Sequence, residues 1–219
     1  MADPGTKTPR ERYRAQVRAE IKERAWEQIA TAGASALSLN AIAKLMGMSG
    51  PALYRYFAGR DELITELIRD AYRSLADAFH AAAASGADAA GLARVLRAWA
   101  LEDPHRYLLI YGTPVPGYHA PDDITAISQE IMGALLDAVG ELPTVPSEAG
   151  FDTHLAEHRD WAGGHPAEDA TLHRALTFWT RLHGVLSLEL AGHFTGMGFD
   201  PALLFTAELT DLVRPPAAR

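Results

Sequence analysis

Three residues of this chain have the types and spacing of a metal-dependent hydrolase. His154, Glu157 and His158 follow the pattern HxxEH, which on a helix places two imidazoles on one face beside a carboxylate, as inverted zinc proteases require. A catalytic zinc also needs a third protein ligand and an open position for water. The surrounding residues, 141–166, contain several Pro and Gly and indicate an irregular insertion. A metal-dependent hydrolase or metal sensor therefore stays an alternative, while we expect no cofactor, no bound metal and no catalytic residue.

A second group of residues, between positions 37 and 63, suits DNA binding. Ser38 is a good N-cap, and Gly47 can end the helix that follows because glycine adopts the left-handed conformation without strain. A second short helix is predicted over Gly50–Phe57, with Ser49 as its cap and Pro51 in its first turn. The apolar positions of the first helix recur at helical spacing: Leu39, Ile42, Ala43 and Met46. The pattern predicts a helix-turn-helix.

The second helix of this motif carries side chains that can read DNA in the major groove. Arg55 is the best candidate for a bidentate contact with guanine, and the hydroxyl groups of Tyr54 and Tyr56 could bind phosphates. Arg60, which opens the next helix, is expected to pair with the DNA backbone. The complete predicted DNA-binding set is Ser38, Asn40, Ser49, Gly50, Pro51, Ala52, Tyr54, Arg55, Tyr56 and Arg60.

The charge of the chain is divided in a way that fits this prediction. The net charge is −8, but residues 1–73 carry +3 and residues 74–219 carry −11. The basic part holds the helix-turn-helix, as expected for an electrostatic footprint on nucleic acid. The basic residues before and along the first helix could be a solvated face or could contact phosphates and the minor groove. They are Lys7, Arg10, Arg12, Arg14, Arg18, Lys22 and Arg24.

The same residues resemble the tetracycline-repressor (TetR) family of bacterial transcription regulators. The resemblance is carried by Gly47-Met48-Ser49, by the run from Leu53 to Phe57, and by Arg60 with Glu62-Leu63. The chain departs from many members at Gly50-Pro51-Ala52, where they have Lys-Gly-Thr. The resemblance implies a ligand-responsive regulator, most often a repressor, that binds a palindromic operator in double-stranded DNA as a homodimer and is released by a small-molecule effector.

Helical periodicity is the only strong pattern in the rest of the chain, so an all-α fold is predicted. It comprises a three-helix helix-turn-helix domain with a basic N-terminal arm over residues 1–60, a connecting helix over 61–84, and a helical ligand-binding and dimerisation domain over 85–219. The predicted helices cover residues 10–31, 60–84, 87–102, 104–111, 122–139, 168–193 and 201–213, besides the two of the helix-turn-helix.

The last two predicted helices, Glu168–His193 and Pro201–Val213, are expected to form the dimer. The first of them is apolar on more than one face, which is more than one subunit can bury, so a four-helix bundle at a two-fold axis is predicted. Charged substitutions at Leu186 or Leu209 would test this bundle. The run from Trp179 to Gly184 also resembles the WHG-type C-terminal domain of one TetR subgroup, as do residues 101–118.

An effector pocket inside the C-terminal domain is implied by the resemblance. Its predicted lining is aromatic with a few polar groups, which suits a flat or hydrophobic ligand. The predicted residues are Trp99, Tyr107, Tyr111, Phe178, Trp179 and His183. Each of them could instead be ordinary core, and His183 could be a hydrogen-bonded core residue.

Composition agrees with a cytoplasmic regulator. The chain has no cysteine, so disulfides and thiolate metal sites are excluded. No apolar run approaches the roughly 20 residues that span a bilayer, and the N-terminal residues lack the apolar core of a signal peptide. We therefore expect no membrane partner and a cytoplasmic location.

Overall fold

The chain folds into α-helices joined by turns. The computed structural model describes residues 8–112, 114–115, 118, 121–143 and 149–214. These divide into two compact units: unit 1 has the described residues of 1–69 and 113–119, and unit 2 has those of 70–112 and 120–219. The helices are α1 Pro9–Ala32, α2 Leu39–Leu45, α3 Gly50–Leu53, α4 Arg60–Ala84, α5 Ala89–Glu102, α6 Pro104–Tyr111, α7 Asp122–Gly140, α8 Ala149–Glu157, α9 Asp169–Leu190 and α10 Pro201–Val213.

In unit 1, helix α1 is long because both of its ends are well defined. Thr8 and Glu11 form a capping box, in which each side chain accepts a hydrogen bond from the backbone of the other residue. Gly33, with φ +77°, ends the helix. The residues predicted to form its apolar stripe are buried: Val17, Ile21, Ala25 and Ile29.

Helices α2 and α3 form the predicted helix-turn-helix. The Ser38 hydroxyl accepts from the Ala41 N–H at 3.3 Å, and Gly47, with φ +64°, makes the turn. Helix α3 is shorter than the predicted Gly50–Phe57, since its last part is a hydrogen-bonded turn. Ser49 occupies the N-cap position, but its side chain makes no capping hydrogen bond, contrary to the prediction.

Unit 2 is a helical bundle whose core is apolar. Asp88 caps α5 and Asp103 caps α6, each by accepting hydrogen bonds from first-turn N–H groups. Helix α9 packs against α7, α8 and α10. Arg97 of α5 donates two hydrogen bonds to Glu189 of α9, at 2.5 and 2.8 Å, which fixes these helices in register.

The described residues of the insertion over 141–166 contain more regular structure than predicted. They include helix α8 and a short 3-10 turn, Asp160–Ala162. Leu155 of α8 is buried, and Asp152 accepts a hydrogen bond from His173 of α9 at 2.8 Å. The other boundaries differ from prediction by a few residues at most: α5 begins at Ala89 because Asp88 is its cap, and α9 ends at Leu190.

The fold class is therefore all-α, as predicted, with a helix-turn-helix in the N-terminal part and a helical C-terminal part. No helix in the described ranges has the length and apolar character needed to cross a membrane.

Candidate nucleic-acid interface and ligand cleft

The short helix α3 presents a polar surface to solvent. Leu53 and Phe57 are fully buried and anchor it, whereas Tyr54 is 47% exposed and Arg55 is exposed beside it. Asn40, at the start of α2, lies next to α3, because its Oδ1 would be 3.4 Å from a Cβ added at Gly50. This arrangement could insert the start of α3 and the side chain of Arg55 into a groove of DNA.

The other predicted DNA-binding residues occupy the same part of unit 1 but differ in accessibility. Ser49 and Pro51 are exposed, and Gly50, Ala52 and Tyr56 are partly buried. Ser38 is partly buried, and its hydroxyl caps α2. Ser49, whose side chain makes no capping bond, keeps its hydroxyl for another partner.

Residues 50–57, which comprise α3 and the turn after it, are called the recognition segment. Two arginines of α1 hold the end of this segment, a role that the sequence analysis missed. Arg14 donates to the Arg55 carbonyl at 3.2 Å, and Arg18 donates to the Tyr56 carbonyl. Arg18 also lies over the Phe57 ring, 4.1 Å from its centroid, and pairs with Glu66 at 3.4 Å. Both arginines thus satisfy carbonyl groups that the short helix leaves without intrahelical partners.

Arg60 is similarly engaged within unit 1. It donates to the Ala34 carbonyl at 2.9 Å and lies 3.7 Å from Asp61. Its side chain remains one-third exposed, so part of the guanidinium is open to a phosphate. In the basic run, Arg10 and Arg12 are exposed on the first turn of α1, and Lys7 lies outside the described residues.

Unit 2 contains an aromatic cleft of about 350 Å³. Two of the predicted pocket residues, Tyr111 and Trp179, line it. Their rings meet edge to face at 5.8 Å, and Tyr111 meets Tyr72 in the same way at 6.0 Å. The described lining is Tyr72, Tyr111, Thr125, Ser128, Gln129, Ile131, Met132, Trp161, Leu176 and Trp179, and none of these side chains carries a formal charge.

Tyr107 and His183 form a second layer behind this lining. The Tyr107 hydroxyl lies 2.9 Å from His183 Nδ1 and 2.8 Å from Ser187 Oγ. The His183 ring contacts Tyr111 and Trp179, with centroid distances of 4.4 and 4.1 Å. The predicted residues thus include a hydrogen-bonded network that supports the cleft from behind.

Burial keeps this network uncharged. It lowers the pKa of His183 from 6.5 to about 3, so the imidazole is neutral at physiological pH. Burial also raises the pKa of Tyr107, and it raises that of Tyr111 well above its usual value. Among the described residues, His183 Nε2 has no hydrogen-bond partner.

The other two predicted pocket residues, Trp99 and Phe178, do not line the cleft. Trp99 is 5% exposed, and its indole N–H donates to Ser74 Oγ at 3.1 Å while Arg106 lies over its ring. Phe178 is 2% exposed and faces an enclosed void of only about 10 Å³. Both side chains are therefore part of the buried hydrophobic core of unit 2 and do not face the cleft.

Eight of the ten described lining residues were not predicted, and one of these, Trp161, belongs to the insertion. Its 3-10 turn is attached to α7, where Gln129 Nε2 donates to the Asp160 carbonyl at 2.9 Å. Gly163, with φ +61°, lets the chain approach closely, since an added Cβ would lie 3.0 Å from Gln129 Cβ. The only signal for this position in the sequence is that the residue is aromatic, because the segment around it has no helical periodicity.

A bidentate ion pair is formed by two residues that adjoin the cleft lining in the sequence, since Arg73 follows Tyr72 and Glu130 stands between Gln129 and Ile131. Arg73 of α4 donates to both carboxylate oxygens of Glu130 on α7, at 2.7 and 2.8 Å. The pair lowers the pKa of Glu130, first through the hydrogen bond from Arg73. It therefore links α7, which supplies much of the lining, to α4 within unit 2.

The histidine pattern of the insertion does not assemble into a metal centre in the described part of the chain. The His154 and His158 rings stack at 4.2 Å, and His158 Nδ1 lies 2.9 Å from the His154 carbonyl oxygen. No group of three or more metal-binding side chains converges among these residues. The third ligand that the alternative hypothesis needs is thus missing from the described ranges.

Comparison with known proteins identifies the same two regions. A family model described as bacterial regulatory proteins of the tetR family matches residues 21–67, and one described as a tetracyclin repressor-like C-terminal domain matches residues 89–212. The HTH-type transcriptional regulators Rv1816 of Mycobacterium tuberculosis and Mb1846 of Mycobacterium bovis are each 36% identical over 220 residues. Each match covers 91% of this chain and 92% of the relative.

Solved structures agree with these matches. The crystal structure of regulatory protein SCO4313 has a TM-score of 0.88 and 73% sequence identity, and the match covers 95% of this chain and 100% of that one. A protein of unknown function from Rhodococcus sp. RHA1, with a TM-score of 0.66 and 20% identity, shares the fold over 98% of both chains. Together with the helix-turn-helix, these matches confirm the predicted resemblance: the chain belongs to the TetR family of DNA-binding transcriptional regulators.

Proposed function

We propose that this protein is a ligand-responsive repressor of the bacterial cytoplasm that binds a palindromic operator as a homodimer. The observation that carries the proposal is the uncharged aromatic cleft in unit 2, in a chain whose other unit is a helix-turn-helix. A small hydrophobic or aromatic effector would occupy the cleft and release the protein from DNA.

Operator binding would use the exposed side of α3. Arg55 reads guanine, Tyr54 and Tyr56 bind phosphates, and Asn40 and Ser49 contact the DNA near the start of the helix. The exposed arginines Arg10 and Arg12 add contacts with the DNA backbone and make binding sensitive to salt. This assignment is supported by the exposure of Tyr54 and Arg55 in the turn that directly follows α3 and its buried Leu53.

The homodimer would form through α9 and α10. Large apolar side chains are exposed near these helices, with 45% exposure for Leu188 and 69% for Leu203. The connection between the helices adds Met197 and Phe199, at 62% and 42%. A second copy covering these side chains would make an apolar interface of the obligate type. Two recognition helices would then reach successive major grooves about 34–36 Å apart or a modest stretch beyond.

Release would follow from a shift between two states of the dimer. Helix α4 contributes residues to both units, and Tyr72 and Arg73 of α4 belong to the cleft and to the ion pair with Glu130, respectively. An effector that binds better when α4 is tilted would favour the state in which the recognition helices lose their groove spacing. An effector with equal affinity for both states could not cause release.

The test of the effector role measures operator release in two variants of the cleft. DNA that the protein protects from cleavage, starting with its own upstream region, supplies the operator. A compound that releases the protein should lose most of its effect with Trp179→Ala and part of it with Tyr111→Phe. Trp26→Phe in unit 1 serves as the control. Equal affinity of the compound for free and DNA-bound protein would refute this mechanism.

The test of assembly needs exposed positions. Leu186 is fully buried and Leu209 is 6% exposed, so charges there would disrupt the subunit itself and not only the dimer. Leu203→Glu should instead yield a folded monomer with greatly weakened operator binding, as measured by analytical ultracentrifugation. Leu45→Glu, at a 67% exposed position of α2, is the control for adding a charge to an exposed leucine. A dimeric Leu203→Glu variant would count against this interface.

A further inference from the structure

We infer that the cleft takes an uncharged, planar molecule with a hydrogen-bond acceptor, and that Trp161 of the insertion recognises it. This inference rests on the proposed effector role of the cleft. It adds the chemical class of the ligand and gives a function to a segment whose role the sequence left open.

The lining favours a flat guest. Four aromatic rings contribute to it, those of Tyr72, Tyr111, Trp161 and Trp179, and Leu176 adds to the apolar surface. Tyr111 contacts Tyr72 and Trp179 edge to face, so a ligand in the cleft would meet both the faces and the edges of these rings. Aromatic side chains pack best against planar groups in offset or edge-to-face arrangements. The volume of about 350 Å³ admits a ligand of two or three fused rings.

The electrostatics of the described lining disfavour an ion. A buried charge needs a partner of opposite charge or several hydrogen bonds. Arg73 and Glu130, which adjoin lining residues in the sequence, are already mutually satisfied by two hydrogen bonds. Behind the lining, His183 is neutral, and the hydroxyls of Tyr107 and of Tyr111 in the lining are protonated. A carboxylate or an ammonium group would thus lose its hydration without a compensating contact from these residues.

Trp161 supplies the polar specificity. Its indole nitrogen is buried and has no hydrogen-bond partner among the described residues. An indole N–H can only donate, so its natural complement is an acceptor on the ligand. Helix α7 adds polar side chains to the lining, the exposed Thr125 and the partly buried Ser128 and Gln129.

The turn that carries Trp161 is held in place. Besides the bond from Gln129 to Asp160, Arg159 donates to the carbonyls of His165 and Ala167, each at 2.8 Å. His165 in turn lies 3.0 Å from Asp137 of α7. A donor fixed in this way loses little conformational entropy when it binds, which makes the hydrogen bond selective.

The experiment compares two ligands of the same shape. Quinoline and naphthalene differ in one ring nitrogen, which is the acceptor. Their dissociation constants are measured by titration calorimetry at pH 8 with the full-length protein. The Trp161→Phe variant keeps a phenyl ring but removes the N–H together with the five-membered ring, so it should weaken quinoline binding about fivefold more than naphthalene binding. Trp99→Phe removes an indole N–H that bonds Ser74 in the core, and should change neither constant.

The outcomes separate this inference from the proposed function. The inference is overturned if Trp161→Phe affects both probes equally or neither. It is also overturned if 1-methylquinolinium or 2-naphthoate binds the wild-type protein more tightly than the neutral probes, or if no neutral probe binds. In any of these cases, release from operator DNA by a compound of another class, dependent on Trp179, would leave the proposed function standing. Unchanged circular dichroism of each variant verifies that it is folded.

Discussion

The two units of this chain hold their candidate functional side chains with different kinds of group, which are charged in unit 1 and neutral in unit 2. In unit 1, guanidinium groups bind backbone carbonyls: those of Arg14 and Arg18 bind the end of the recognition segment, and that of Arg60 binds Ala34. In unit 2, neutral rings support the cleft, and burial keeps His183 without charge. The proposed partners account for the difference: a surface for a polyanion tolerates and uses positive charge, whereas a cleft for an uncharged molecule would exclude it.

The largest effect is expected from removing the charge that organises unit 1. Arg18→Ala loses the bond to the Tyr56 carbonyl, the ion pairs with Glu62 and Glu66, and the contact with Phe57. We expect a loss of about 2–3 kcal/mol of stability and loss of operator binding. Thermal unfolding and mobility-shift assays measure the two effects.

The control for this prediction lies on the same helix. Arg24 pairs with Glu27 on an exposed face of α1, and both residues of this ion pair belong to the same helix. Arg24→Ala should leave DNA binding intact and change stability by less than about 0.5 kcal/mol. Equal effects of the two substitutions would mean that Arg18 contributes only as another surface charge.

The next effect tests whether His183, in the layer behind the cleft, is kept uncharged. The pKa of His183 is about 3 in the folded protein and 6.5 when exposed, so between these values the unfolded state binds more protons. Stability contributed by the neutral imidazole is complete above pH 6.5 and falls as the pH drops toward 3. From pH 7 to 5 we expect a loss of about 2 kcal/mol from this residue.

Denaturant unfolding at both pH values measures this loss. His183→Gln does not titrate, so its stability should fall by about 2 kcal/mol less over the same interval. The subtraction removes the contribution of the other histidines, which both proteins share. If the two proteins lose the same stability, the His183 imidazole is not kept neutral in the folded state.

The smallest effect concerns specificity within the DNA surface. Arg55→Ala should cost about 1–3 kcal/mol of specific operator binding while leaving non-specific binding nearly unchanged. Arg55→Lys keeps the charge but not the bidentate geometry and should recover little of the specificity. Arg60→Ala is expected to weaken binding to all sequences and to flatten the salt dependence. Equal losses on operator and random DNA for Arg55→Ala would assign this residue to a phosphate instead.

Local signals predicted most of the fold because they mark helix ends directly. Proline or glycine and capping residues set the bounds of α4, α6 and α10, which match the prediction. Helix α8 was missed because Leu155 is its only described buried apolar residue, and its helix depends on contacts with α9. Its weak apolar periodicity gave no local indication of a helix.

The site was predicted less completely for a related reason. Tyr111 and Trp179 could be found as aromatic residues on periodic helices, but Trp161 lies in a turn that becomes part of the cleft only through Gln129 and Gly163. In unit 1, the bonds from Arg14 and Arg18 join residues that are 41 and 38 positions apart. Such contacts depend on tertiary packing, which single-sequence periodicity does not encode.

The ion pair between Arg73 and Glu130 has an evolutionary consequence. Its two parallel hydrogen bonds require a planar guanidinium on α4 and a carboxylate on α7, so neither lysine nor glutamine is an equivalent replacement at its position. A single change would leave one unmatched ion next to lining residues in the sequence. Orthologues that keep the same ligand should therefore retain both residues or exchange both together, whereas paralogues that respond to charged molecules are expected to have lost the pair.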